Sequence, residues 1–235
     1  MVVRKDAAPA RSRKSARRPL QGRGRAKTIL LTGFDAFGGE RVNPSWQVAE
    51  RLDGRSFADA TVRAVRLPVD CRRAAATIVR IIERTAPIAV VSLGQAAGRF
   101  GLSLERVALN LADYRPVPDV EAGLRSVPVV PNGPAAYFSR LPLQAILEAL
   151  RNRGIPAAVS LSAGVYVCNA VMYAELHALR RRTRIPVGFV HLPYEAAQTV
   201  RRAAASMALD LMIAGVETVL EVVAGSPGCA SPSQR

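Results

Sequence analysis

The chain has 235 residues, 49% of them hydrophobic, and a formal net charge of +15. Its length fits one α/β domain better than two. No apolar run approaches the ~18 residues of a membrane span, and three scattered cysteines, Cys71, Cys168 and Cys229, make neither a disulfide framework nor a metal-ligand cluster.

The charge resembles a nucleic-acid signal, but it is unevenly placed. Residues 1–27 hold ten of the 33 Lys and Arg against one acid, Asp6, which leaves only +6 for the remainder. This segment has almost no large apolar residues, so a disordered basic extension is expected over 1–27. It reads as a solvated extension or an upstream-start artefact. The other readings are an arm making weak contact with nucleic acid and an organelle transit peptide. With no signal peptide visible, a reducing cytoplasm is the expected location.

The folded region is expected over residues 28–224. Thr28-Ile-Leu-Leu-Thr32 reads as a buried strand. It runs into Gly33-Phe34-Asp35-Ala36-Phe37-Gly38-Gly39, which lacks the Gly-Lys-Ser/Thr ending of a phosphate-binding loop. Asn43 as N-cap and Pro44 at the first helical position start a helix with Trp46, Val48, Ala49 and Leu52 at helical spacing. Residues 60–67 alternate as a strand. Residues 71–84 form a helix with Ala75, Ile78, Ile81 and Ile82 inward. Residues 88–93 are a second apolar strand, ending in Gly94-Gln95-Ala96-Ala97-Gly98-Arg99.

Residues 102–109 read as one strand with Ser103, Glu105, Val107 and Leu109 on one face. Residues 111–135, rich in Pro, Asp, Gly and Asn, form a long excursion with room for short hairpin strands, and such loops are more often functional than idle. A helix over 141–151 and an apolar strand over 157–161 lead to Ser162-Ala-Gly-Val-Tyr-Val-Cys168-Asn169, where a second helix begins. Residues 186–192 are the last strand, 195–223 are helical, and 225–235 form a disordered C-terminal tail. Strands alternating with helices imply an α/β fold with a mostly parallel sheet covered on both faces. In such folds the site lies beyond the carboxyl ends of the strands, where the loops after Thr32, Leu93, Leu161 and Val190 converge.

Cys168 at a strand-to-helix junction sits where helical N–H groups stabilise a thiolate, although a lone cysteine is commonly a small buried hydrophobe. A nucleophile needs a base, and the chain has two histidines. His177 is nine residues on in the same helix, roughly 13 Å along the axis and half a turn away, so it cannot reach Cys168. His191 ends a strand, where a partner for Cys168 belongs; its other reading is a satisfied core histidine. Glu105 interrupts an apolar strand, which is costly unless it is paired. It is either a salt-bridged or edge carboxylate or the acceptor that orients the imidazole. Arg115 is an exposed loop charge or an aid to an oxyanion.

Five motifs in order resemble the pyroglutamyl peptidase type I family. They are Thr32-Gly-Phe-Asp-Ala-Phe-Gly-Gly-Glu40 with Asn43-Pro-Ser-Trp46, Gly94 to Arg99, Glu105-Arg-Val-Ala-Leu-Asn110, Ser162 to Asn169, and Gly188-Phe-Val-His191-Leu-Pro-Tyr194. The resemblance spans residues 28–223. It implies a single-domain α/β/α sandwich and a cysteine exopeptidase that removes an N-terminal pyroglutamyl residue through an acyl-enzyme. It implies no cofactor and no metal, and a homodimer or homotetramer. On the matching positions it implies Cys168 as nucleophile, His191 as base, Glu105 as orienting acid and Arg115 as the site arginine. It also implies Phe34, Phe37, Asn43, Gln95 and Tyr166 as the substrate pocket. Tyr166 stands where the family usually has Phe, and Pro118 to Gly123 departs from the family's loop by one substitution and one extra residue.

The residue types suit that chemistry. A pyroglutamyl ring is small, flat and neutral, so two phenyl rings and a few amides suffice to hold it. The competing readings are a non-catalytic homologue that binds acidic partners through the basic extension, and another thiol-dependent amidase.

Overall fold

A computed structural model describes residues 27–115 and 123–229. The readings for residues 1–26, most of the 118–123 loop and the last six residues lie outside the described residues. Among them the elements are β1 (Lys27–Phe34), α1 (Pro44–Leu52), β2 (Ser56–Phe57), β3 (Ala60–Leu67), α2 (Cys71–Thr85), β4 (Ala89–Gln95), β5 (Leu102–Glu105), β6 (Val107–Leu109), β7 (Ala112–Tyr114), β8 (Leu124–Val127), β9 (Ala136–Phe138), α3 (Leu143–Asn152), β10 (Ala157–Ser160), α4 (Val167–Ala178), β11 (Val187–Leu192), β12 (Tyr194–Glu195), β13 (Ser206–Met207) and α5 (Leu209–Ala224).

Seven strands form the central sheet in the order β10-β5-β11-β4-β1-β3-β2. The four middle strands β11, β4, β1 and β3 are mutually parallel. Their apolar runs are buried because helices cover both faces. One core layer joins Ile29, Leu31, Val91 and Leu93 to α1, α3 and α5. The other joins Leu30, Val90, Phe189 and Val187 to α2 and α4. The chain is therefore an α/β/α sandwich.

The sheet departs from the expected layout on one side. β5 runs antiparallel to β11, and β10 runs parallel to β5. Leu161 therefore leaves the sheet at the edge opposite the carboxyl ends of β1, β4 and β11. Residues 162–166 bring the chain to α4, whose second residue, Cys168, lies against Gly94 near the end of β4. The single strand expected over 102–109 is broken at Arg106. β5 joins the main sheet, while β6 pairs with β9 outside it, so Glu105 and Val107 do not share one sheet face. The helix expected over 195–223 is confined to α5. Ahead of it lie β12, a 3-10 turn at Ala196–Thr199 and β13.

Both ends of the folded region extend further than expected. Lys27 opens β1 and pairs with Asp59 at 2.6 Å. Residues 225–229, expected in a disordered tail, pack back onto the domain. Cys229 is buried, with Sγ 3.7 Å from the Ile88 carbonyl.

One buried polar chain was not anticipated. Thr32 Oγ1 donates to Ser92 Oγ at 2.9 Å, and Ser92 Oγ donates to Glu175 Oε2 at 2.7 Å. Glu175 is fully buried on α4, and burial pushes its carboxyl well above the ordinary range, against the Ser92 hydrogen bond and the charge of Arg140. The unfolded chain loses this proton near 4.5, the ordinary carboxyl value, while burial holds it to higher pH in the folded chain. Stability from this group is therefore full at low pH and falls as pH rises. Glu175→Gln keeps the Ser92 contact and cannot ionise. Its melting temperature is expected to decline less than the parent's between pH 5 and pH 8, as scanning calorimetry would measure; parallel declines would contradict a neutral Glu175.

Candidate active site

β1 delivers the phenylalanine loop. Gly33 packs so closely on the start of α1 that a methyl group would collide with the backbone of Ser45 and Trp46. Asn43 caps α1, its Oδ1 accepting from Ser45 N at 3.1 Å and Ser45 Oγ at 2.7 Å, and its Nδ2 donating to the Asp35 carbonyl at 2.9 Å. Ser45 Oγ in turn accepts from the Phe34 N–H at 3.0 Å. Helix capping and loop conformation are thus one hydrogen-bonded unit, and Phe34 is buried against Phe189, with ring centroids 6.4 Å apart.

β4 and β11 deliver the next pieces. Gly94 and His191 are register partners across the ladder. A Cβ on Gly94 would stand 2.9 Å from Cys168 Sγ and 2.8 Å from the Phe189 ring. The strand gives up a side chain here to seat the sulfur. His191 is 5% exposed, and its Nδ1 lies 2.8 Å from Glu105 Oε1. Glu105 is fully buried on β5, and Arg99 Nη2 lies 3.9 Å from the same oxygen. A carboxylate only accepts, so Nδ1 carries the hydrogen and Nε2 is left with its lone pair.

A small cavity of about 60 Å³ opens at the sulfur. Phe34, Phe37, Asn43, Gln95, Tyr166 and Cys168 line it, with Val69 and Val167. Among the described residues no charged side chain lines it. The sequence did not single out the two valines; their signal is proximity, one just before α2 and one beside Cys168. Tyr166 packs against Tyr114 with centroids 4.5 Å apart and the rings tilted by 56°, and its hydroxyl lies 3.5 Å from the Val69 carbonyl. Its extra oxygen is thus turned to the backbone at the cavity wall. Arg115, just after β7, is exposed and is not among the residues that line the cavity. His177 is half-buried elsewhere on α4, with Nδ1 2.9 Å from the Tyr137 hydroxyl.

The thiol differs from the expectation for a helix start. Burial pushes Cys168 up to about 12, with Cys71 and Glu105 adding to the rise and a backbone hydrogen bond opposing it. Desolvation outweighs the helix terminus, so burial favours the neutral thiol over the thiolate. Alkylation by iodoacetamide needs the thiolate. Its rate is expected to climb about tenfold per pH unit from pH 7 to beyond pH 9. A plateau below pH 8 would reveal a preformed thiolate instead.

Comparisons with known proteins point to a single family. A family model described as pyroglutamyl peptidase matches residues 27–226. The chain is 46% identical to a pyrrolidone-carboxylate peptidase of Chromobacterium violaceum, over 83% of this chain and 92% of that protein. It is 47% identical to one of Gloeobacter violaceus, over 83% and 96%. Among solved structures, the pyroglutamyl peptidase I of Bacillus amyloliquefaciens superposes with a TM-score of 0.81 at 36% identity, covering 85% of this chain and 96% of that one. A mutant pyrrolidone carboxyl peptidase of Pyrococcus furiosus gives 0.80 at 36% identity, covering 83% and 97%.

Proposed function

This chain belongs to the pyroglutamyl peptidase family and is a cysteine peptidase, and we propose that Cys168 is its nucleophile, His191 its general base and acid, and Glu105 the group that orients His191. The observation that carries this reading is the Glu105–His191 contact of 2.8 Å on the strand beside Gly94, against which the sulfur rests.

In the proposed reaction His191 Nε2 takes the Cys168 proton as sulfur attacks the carbonyl of the first residue. Glu105 stabilises the resulting imidazolium through Nδ1–H. The oxyanion faces the start of α4, where the N–H groups of Val167, Cys168 and Asn169 precede the first intrahelical bond, from Ala170 N to the Tyr166 carbonyl. His191 then protonates the leaving amine, and the C–N bond breaks to leave a thioester on Cys168. Water, deprotonated by His191, attacks the thioester, and the proton returns to sulfur as the free acid departs. Arg115 is proposed to act from the rim, on the peptide beyond the scissile bond or on the oxyanion.

The substrate is a peptide with an N-terminal pyroglutamyl residue. A cavity of about 60 Å³ is far below the several hundred Å³ of a drug-sized site, so it suits one small ring. Among the described residues its walls are aromatic and aliphatic side chains with two neutral amides and no charge, which favours a neutral lactam over a protonated amine. The protein is expected to work in the cytoplasm; no disulfide joins its cysteines. A dimer or tetramer is the expected assembly, since Phe100, Phe138, Leu161 and Val200 are large apolar side chains left exposed on the single chain.

A panel of coumarin amides tests the assignment. Pyroglutamyl-coumarin is expected to be cleaved, prolyl- and alanyl-coumarin left intact, and cleavage lost after iodoacetamide. Equal turnover of other N-blocked amides would reassign the chain to a general thiol amidase.

A further inference from the structure

Gln198 lies outside the cavity, in the 3-10 turn Ala196–Thr199 that follows β12. Its amide is engaged at both ends. Oε1 accepts from the Glu195 N–H at 2.9 Å. Nε2 donates to Glu40 Oε2 at 3.1 Å and Gln95 Oε1 at 3.2 Å, and lies 3.5 Å from the Val42 carbonyl. A backbone N–H only donates and a carboxylate only accepts, so these two partners fix which way the Gln198 amide faces.

Glu40 is itself held in place. Burial pushes its carboxyl up, but the hydrogen bonds from Arg202 and Gln198 and the Arg202 charge together keep it below the ordinary value. Arg202 Nη2 donates to Glu40 Oε1 at 2.6 Å, and its guanidinium lies 4.1 Å over the Tyr194 ring. The polarity of this chain passes to Gln95. Its Oε1 turns to Gln198, which leaves its Nε2 hydrogens for the cavity wall it shares with Cys168. The other amide in that wall is already engaged at both ends: Asn43 Nδ2 donates to the Asp35 carbonyl and its Oδ1 takes two hydrogen bonds from Ser45.

We propose that Gln198 is a positioning residue that sets the direction of the Gln95 amide, so that a bound ring carbonyl meets a donor and not another carbonyl. The ring then binds by its carbonyl as well as by its shape. This rests on the reading of Gln95 as part of the ring site.

The test is a double-mutant cycle with pyroglutamyl-coumarin. Gln198→Met and Gln95→Met are each expected to raise KM about tenfold, the cost of one lost hydrogen bond. kcat should stay within about threefold, and alkylation of Cys168 should be unchanged. Combining them should raise KM no further than Gln95→Met alone, because Gln198 acts through Gln95. Effects that multiply overturn the proposal, as does a fall in kcat with KM unchanged. An unaltered KM in Gln95→Met removes the ring-site reading itself. A second variant guards against a merely disturbed turn. Gln198→Glu combined with Glu40→Gln keeps the hydrogen bonds from the Glu195 N–H and Arg202, reverses those between position 198 and positions 40 and 95, and gives up only the 3.5 Å contact with the Val42 carbonyl, drawing Gln95 Nε2 away from the cavity. KM is expected to rise at least as far as in Gln198→Met; a parental KM overturns the proposal.

Discussion

Cys168→Ser is expected to lower kcat/KM for pyroglutamyl-coumarin by roughly four orders of magnitude or more, in line with loss of an activated nucleophile elsewhere. The change is nearly isosteric, so the melting temperature should move by only a few degrees. An alkoxide is harder to form than a thiolate, and the site around Cys168 penalises either anion. Burial pushes even the thiol up to about 12. The charges that act on it, those of Cys71 and Glu105, push the wrong way. The serine variant would therefore depend entirely on proton removal by His191. Turnover within tenfold of the parent would remove Cys168 from the mechanism. A collapsed fold would be visible as a lost thermal transition, and Cys168→Ala, which inserts no hydroxyl, would then decide the matter by activity alone.

Glu105→Gln is expected to reduce kcat by about 10²–10⁴-fold, the range seen when the orienting acid of a triad loses its charge. The amide oxygen can still accept from His191 Nδ1, so the geometry survives, but the imidazolium formed during attack loses its counter-charge. The stability consequence has the opposite sign. Glu105 is fully buried and its Oε2 has no hydrogen-bond partner, an arrangement that costs folding energy. The glutamine variant should therefore melt at the same temperature as the parent or higher while being far less active. Loss of activity and stability together would mark Glu105 as a structural ion-pair member only. His177→Ala is the internal control. It breaks the Tyr137 contact and should leave kcat within about twofold, at a stability cost of about 1 kcal/mol.

The sequence was most readable where physics is local. The strands β1, β3 and β4 are short apolar or alternating runs, and α1 is announced by Asn43 and Pro44; each follows from side-chain periodicity and capping alone. His177 could be set aside by helix geometry, and the resemblance in five motifs supplied the six cavity residues from Phe34 to Cys168. What stayed hidden depends on pairing across the sheet. Nothing in Leu102 to Glu105 states that the strand runs against β11, so the direction of β5 and β10 was missed. Arg106 still donates to the Ser160 carbonyl of β10, but its own carbonyl accepts from Ser139 just after β9, so the chain leaves the main sheet there through partners remote in sequence. The upward push on the thiol was missed because burial is a property of the whole packed layer. Glu175 left a signal: it is seven residues after Cys168, on the same helical face, and so had to point at the sheet. Gln198 left none, since its meaning lies in Glu40 and Gln95, over a hundred residues away.

The reversed strands have a consequence for how the molecule acquires activity. Glu105 and His191 are 86 residues apart and meet only across the antiparallel β5–β11 pair. Cys168, between them in sequence, reaches them only when α4 docks on Gly94 at the end of β4. No two members of the set share a hairpin or a single helix, so no local fragment can assemble even half of the reaction centre. Loop closure on this scale is slow relative to helix formation. On the proposed mechanism, activity therefore appears only once β5 has paired with β11 and α4 has docked.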